Sequence, residues 1–110
     1  MATQNKTDID QLLADSLKQL ASKKLLEKIT IKEITDLAGV IRPTFYNHFQ
    51  DKFELLEWII KKELLEPVQP LIRNDMFTEA MLLLFTNIER DRAFYSHVVK
   101  LEGPVTFRSI

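Results

Sequence analysis

The sequence contains no cysteine. That excludes a disulfide framework and a thiolate metal site. It has only two glycines, so no glycine-rich loop is available to cradle a phosphate. Four prolines complete a small stock of turn residues, which argues against a disordered or β-rich chain. His48 and His97 are the only histidines. Neither has a carboxylate at a spacing diagnostic of metal ligation or nucleophile activation. With the motifs of the common catalytic classes missing, the expectation is a protein that is not an enzyme and needs no cofactor. No apolar run is long enough to span a bilayer, and Met1 to Lys6 is polar, unlike a signal peptide. No membrane partner is expected, and a cytoplasmic location is the default. Excess charge is missing too. A formal net charge of −1 and a sequence pI near 6.1 give no bulk support to nucleic-acid binding. Specific binding then requires basic groups concentrated on the contacting face. Lys32, Arg42 and Lys52 are the candidates, offset by Glu33, Asp36 and Asp51, so non-specific affinity should be modest.

What the chain does have is apolar content of 45% over 110 residues, with runs of Leu, Lys and Glu that favour helix. The organising stretch runs from Thr30 to Leu56. Thr30 and Glu33 have the spacing of a capping box. Ile31, Ile34, Leu37 and Ala38 recur on one helical face. Gly39 marks the stop, because glycine tolerates the left-handed backbone at a helix end. Pro43 marks a new start, with Arg42 at or just before it. In the helix that follows, Phe45 and Phe49 share one face. Pro43 and Asn47 point the other way with Thr44 beside them, and Tyr46 and His48 take the flanks. Asp51 and Glu54 repeat the capping-box spacing and open a third helix, with Lys52 in its first turn. A short helix with an aromatic inner face and Arg, Thr, Asn, Tyr and His outside suits insertion into a DNA major groove.

The runs Ala38-Gly39-Val40, Thr44-Phe45-Tyr46-Asn47-His48-Phe49 and Lys52-x-Glu54-Leu55-Leu56 closely resemble the DNA-binding domain of TetR-type transcription regulators. The resemblance covers about the first half of the chain. Two positions depart from it. Ile41 stands where the family often has a serine cap, and Pro43 where a glycine or alanine often precedes the threonine. Both change what meets the DNA, so operator preference does not carry over. A weaker likeness, in Met81 to Phe85, Ile88 and Arg92-x-Phe94-Tyr95, is to one TetR subgroup. Its members are similar to activators of dihydroxyacetone kinase operons and have a shorter, divergent regulatory half.

Ahead of this stretch, Met1 to Lys6 is expected to be a loose tail and Thr7 a cap, with Asp8 and Asp10 at the positive end of a first helix. Ile9, Leu12, Leu13, Leu17, Leu20 and Ala21 form its buried stripe, and Asp15, Lys18, Lys23 and Lys24 read as a solvated face. Beyond it, a helix from Asp51 to about Glu66 carries Leu55, Leu56, Ile59 and Ile60, with Trp58 as a partly buried packing residue. Pro67 and Pro70 should end or kink it. Leu71 to Asp75 reads as a connector with Asn74 or Asp75 as a cap. Phe77, Met81, Leu84, Phe85 and Ile88, with Leu82 and Leu83, mark a helix apolar enough to be buried on several sides. Asp91 can start another, with Phe94, Tyr95, Val98 and Val99 as its apolar side. Glu102-Gly103-Pro104 stops it.

The expected fold is therefore all-α. Residues 1–50 form a three-helix DNA-binding domain with a helix-turn-helix. Residues 51–110 form a linker helix and a partial helical regulatory and dimerisation domain. The expected function is a TetR-like transcriptional regulator. Arg42, Thr44 and Asn47 would touch base edges of double-stranded operator DNA, and Thr30, Tyr46, His48 and Lys52 would hold phosphates. The rival is a helical protein-interaction module that has lost DNA binding. The apolar surface between Phe77 and Leu101 exceeds what neighbouring helices can cover. This points to a chain cut short relative to its resembled family, self-associating as a homodimer. There is room for a small-molecule or protein effector.

Overall fold

The computed structural model describes residues 6–98, with side chains from residue 8 onward. The expectations for Met1 to Asn5, for Val99 and for the residues after it fall outside that range. All the regular structure among the described residues is helical. The first helix, α1 (Lys6–Ala21), already includes Thr7, which therefore lies inside the helix and not ahead of it. Leu13, Leu17 and Ala21 are buried as expected, and Ala14 joins them. Ile9 and Leu20 pack at the edge of the stripe. A single 3-10 turn (Leu26–Lys28) follows, in which Leu26 and then Ile29 plug the core.

Helix α2 (Ile31–Ala38) opens on the capping box. The Thr30 hydroxyl accepts the Glu33 amide at 3.1 Å, and Glu33 Oε1 accepts the Thr30 amide at 2.9 Å. It closes on Gly39 at φ 77°. A Cβ there would meet nothing within 4 Å, so glycine is needed for its torsion and not for space. The buried face differs by one residue from the expectation. Ile31, Ile34 and Ala38 face inward, but Leu37 is exposed and Thr35 takes the fourth place. The helical spacing i, i+3, i+4, i+7 from Ile31 selects Thr35 over Leu37. The cost of burying its hydroxyl is offset by hydrogen bonds to the Ile31 and Lys32 carbonyls.

Helices α3 (Arg42–His48) and α4 (Lys52–Ile60) complete the first unit. The chain then stays helical past both prolines, contrary to the expected stop near Glu66. A π turn (Lys61–Leu65), a 3-10 turn (Glu66–Val68) and helix α5 (Gln69–Arg73) continue the same path. The reason is local. Pro67 has no N–H to give the Glu63 carbonyl. Asn87 Nδ2 donates to that carbonyl instead, at 3.2 Å. The turn before the proline widens, and the Glu66 amide reaches back to Lys61. Neither Asn74 nor Asp75 caps the next helix. The Asn74 amide side chain closes α5 on the Pro70 carbonyl, Asp75 takes a left-handed φ of 59°, and Met76 stands at the cap position without a side-chain bond.

Helix α6 (Phe77–Arg90) is the main surprise of the second half. Only Ala80 is fully buried. Leu84 and Ile88 pack against the core, while Phe77 and Phe85 are 57% and 59% exposed, with Met81 and Leu82 also outside. The expected burial on several sides does not occur among the described residues. Helix α7 (Arg92–Val98) buries Phe94, Tyr95 and Val98.

One core cluster unites Leu13, Leu17, Ile34, Phe45, Leu55, Ile59 and Phe94, so burial runs without a gap across residue 50. Lys18 ties the two halves and is not part of a solvated face. Its ammonium lies 2.8 Å from Glu63 of the π turn and 2.8 Å from Asp91 at the start of α7. Partial burial alone would lower its pKa, but the bonds to Asp91 and Glu63 outweigh it, and the pKa sits above the usual lysine value. Burial, then the charges of Glu63 and Asp91, push the neighbouring Tyr95 phenol far up. It stays neutral and donates to Glu63. Lys24 likewise pairs with Glu33.

Phe45 is completely buried at the centre of this core. Truncating it to alanine should cost about 3–5 kcal/mol, a large part of a small domain's stability. A Phe45→Ala variant with an unchanged thermal midpoint would contradict this placement.

Candidate nucleic-acid interface

Helix α3 has seven residues, too few to stand alone in water. Its conformation is held from outside. Ile41 occupies the cap position without a side-chain hydrogen bond. Pro43 sits in the first turn, where a missing N–H leaves no bond unmade. Phe45 and Phe49 face inward with ring centroids 6.0 Å apart, and Phe49 meets the edge of Trp58 on α4 at 6.2 Å. Trp58 is thus a partly buried packing residue, as expected.

Two polar ties complete the mounting. His48 Nδ1 lies 2.8 Å from Asp10 Oδ1 of α1, with both side chains largely covered. An ionised carboxylate only accepts, so Nδ1 carries the proton. In the neutral ring Nε2 is then an acceptor. The Nδ1 proton is thus committed to Asp10 and is not open to a phosphate. The second tie is Lys52. Its ammonium donates to the carbonyls of Leu26 and Ile29, at 2.9 and 2.7 Å. Burial lowers its pKa against the opposing pull of Glu27 and Glu33. Lys52 therefore clamps the turn before α2 and is not a free cation on the surface. Thr30 is committed as well, to the capping box with Glu33. The second predicted box is half formed. Asp51 caps the Glu54 amide, but Glu54 reaches past Asp51 to the Gln50 amide.

What remains outward is a continuous face of α3. Arg42, Pro43, Tyr46 and Asn47 are all exposed and fall at i, i+1, i+4 and i+5. Thr44 is half-buried beside them. Tyr46 is 55% exposed and leans its ring edge-on against Phe45, at 5.4 Å. Arg42 has no ion-pair partner among the described residues. Lys32, by contrast, is paired with Asp36. The sequence reading missed Asp10. The available signal was its place on the buried stripe, three and seven residues ahead of Leu13 and Leu17.

A short helix locked by aromatics on one side, showing a polar and cationic stripe on the other, and preceded across a glycine turn by a capped helix, defines a helix-turn-helix unit. Residues 14–59, from mid-α1 through nearly all of α4, match the bacterial regulatory proteins of the tetR family. The chain is similar to the HTH-type dhaKLM operon transcriptional activator DhaS of Lactococcus lactis subsp. lactis (strain IL1403). The two are 26% identical over 92 residues, which is 84% of this chain and 49% of that protein. It also superposes on a solved structure of a dihydroxyacetone kinase operon activator DhaS with a TM-score of 0.72. The identity is 26%, over 86% of this chain and 53% of that one. The chain thus spans about half the length of these relatives. No helix among the described residues is long and apolar enough to cross a membrane, and none of their His, Cys, Asp and Glu side chains group in a way that could hold a metal ion.

The Asp10–His48 pair should behave as one unit. In a double-mutant cycle of Asp10→Asn and His48→Gln, followed by urea unfolding, we expect a coupling energy of about 0.5–3 kcal/mol. Strict additivity would show that the two side chains do not support each other.

Proposed function

We propose that this chain regulates transcription by inserting α3 into the major groove of operator DNA. The observation that carries the reading is the exposed stripe of Arg42, Pro43, Tyr46 and Asn47 on a helix whose other face is locked into the core. Arg42 and Asn47, with Thr44, reach base edges. A guanidinium suits the paired acceptors of guanine and an amide suits adenine. Tyr46, on the flank, holds a phosphate. Thr30, His48 and Lys52 serve the interface by fixing its shape, since each is already bound within the chain. A near-neutral chain with few free cations on this face should bind non-specific DNA weakly, so discrimination rests on the base contacts.

The unit that binds is a symmetric dimer. Phe77, Met81, Leu82 and Phe85 leave one side of α6 apolar and open to water, an aggregation liability unless covered. A second copy covers it in the commonest closed assembly. Two copies then address half-sites about 34–36 Å apart or a multiple of that. The relatives' names speak of activation at a dihydroxyacetone kinase operon, which makes an activator the favoured sign of regulation.

Selection of bound fragments from genomic DNA at low salt tests the reading and names the operator. Retention of no fragment would favour an interaction module without DNA binding. On the selected operator, Arg42→Ala should cost about 1–3 kcal/mol and relax preference at one base pair. A uniform loss across all sequences would place Arg42 on a phosphate. Sedimentation at micromolar concentration should show dimers. A monomer that binds no apolar dye would contradict the dimer assignment.

A further inference from the structure

We propose that Ile41 reads a thymine, laying its side chain against the 5-methyl group of one thymine in each half-site. The inference rests on the reading of α3 as a major-groove helix and adds an apolar contact to its polar ones.

The case begins with two local rules broken at one residue. Ile41 is 67% exposed, although its neighbour Val40 packs against the core. It also occupies the cap position of α3 and makes no side-chain bond there. A serine, threonine or aspartate would satisfy a free amide of the first turn and favour folding about fivefold. Isoleucine gives up that gain and leaves apolar surface in water. Such a double violation is expected where a residue serves contact and not folding.

Its position selects the contact. Ile41 directly precedes Arg42 in the turn that leads into the exposed stripe, so it travels with that stripe into the groove. The one apolar feature in the major groove of unmodified DNA is the thymine methyl group, and apolar side chains are its usual readers. Isoleucine suits the task because branching at Cβ restricts χ1. A stiff side chain loses little freedom when it is pressed against a methyl group.

The test begins from duplexes selected by the wild-type protein from a random-sequence pool. Each thymine of the selected site is then replaced in turn by deoxyuridine, which removes only the methyl group. At one thymine per half-site the wild type should lose about fourfold in affinity, the value of one buried methyl group. Ile41→Ser should bind the thymine and uracil forms of that position equally, while any sensitivity elsewhere persists. Serine supplies the missing cap, so this variant should melt no lower than the wild type. Ile41→Val should keep part of the discrimination. If no thymine matters, or if Ile41→Ser keeps the same sensitivity at the same position, the assignment to Ile41 is overturned while DNA binding stands. If the wild type retains no duplex at the selection step, the reading of α3 falls, and this inference with it.

Discussion

The burial of Phe45 is the constraint on which the exposed chemistry depends. A seven-residue helix cannot define the direction of its own side chains, because too few of its amides and carbonyls are paired internally. Phe45 turns the problem into one of packing. With its ring sealed in the core and Phe49 and Trp58 packed edge to face beyond it, rotation about the helix axis is no longer free. The residues at the opposite phase must face water. Asp10 and Lys52 fix the remaining freedom at the far end, one holding the His48 ring and the other the turn before α2. The interface is thus rigid because its supports lie on three different segments.

Those supports converge on α1. It packs against α2, α3, α4 and α7, and its buried face is shared between the helix-turn-helix unit and the second half. The Lys18 bridge to Glu63 and Asp91 is the polar counterpart of that apolar sharing. Breaking one member would leave a partly covered charge without its partner, which costs more than the pair contributes when whole. Glu63 is bound through both its side chain and its backbone. Its carboxylate faces α1, and its backbone carbonyl, freed by Pro67, receives Asn87 of α6. A single residue in a widened helical turn therefore joins three elements.

Much of this was legible in the sequence because it depends on spacing. The capping box at Thr30, the left-handed stop at Gly39 and the inward phase of Phe45 and Phe49 follow from which residues stand three or four apart. What escaped was the fate of polar groups on apolar stripes. Asp10 and Lys18 were read by charge, as helix-end and solvent-facing groups. Yet Asp10 aligns with Leu13 and Leu17, and Lys18 with Ala14 and Ala21, and geometry prevailed over polarity because each found a partner distant in the chain. The internal partners of Lys52 and His48 escaped for the same reason. A cation or an imidazole in a binding motif looks available until the carbonyl or carboxylate that occupies it is seen. The route of the helix through Pro67 and Pro70 was also not legible, since it needs the Asn87 side chain from α6 to satisfy the freed carbonyl.

The contact between α1 and α7 has a consequence for the order of events during synthesis. The ribosome releases α1 before the partners that form the helix-turn-helix. The far side of α1 has to wait. It is covered only when α7 arrives with Phe94, Tyr95 and Val98, and with His97, which bonds the Ala21 carbonyl at the very end of α1. Domains tend to assemble from the N-terminus as the chain emerges. Here a helix made before its partners is among the last to be finished, and the nascent helix-turn-helix unit carries an open apolar flank until nearly all of the described chain has been translated.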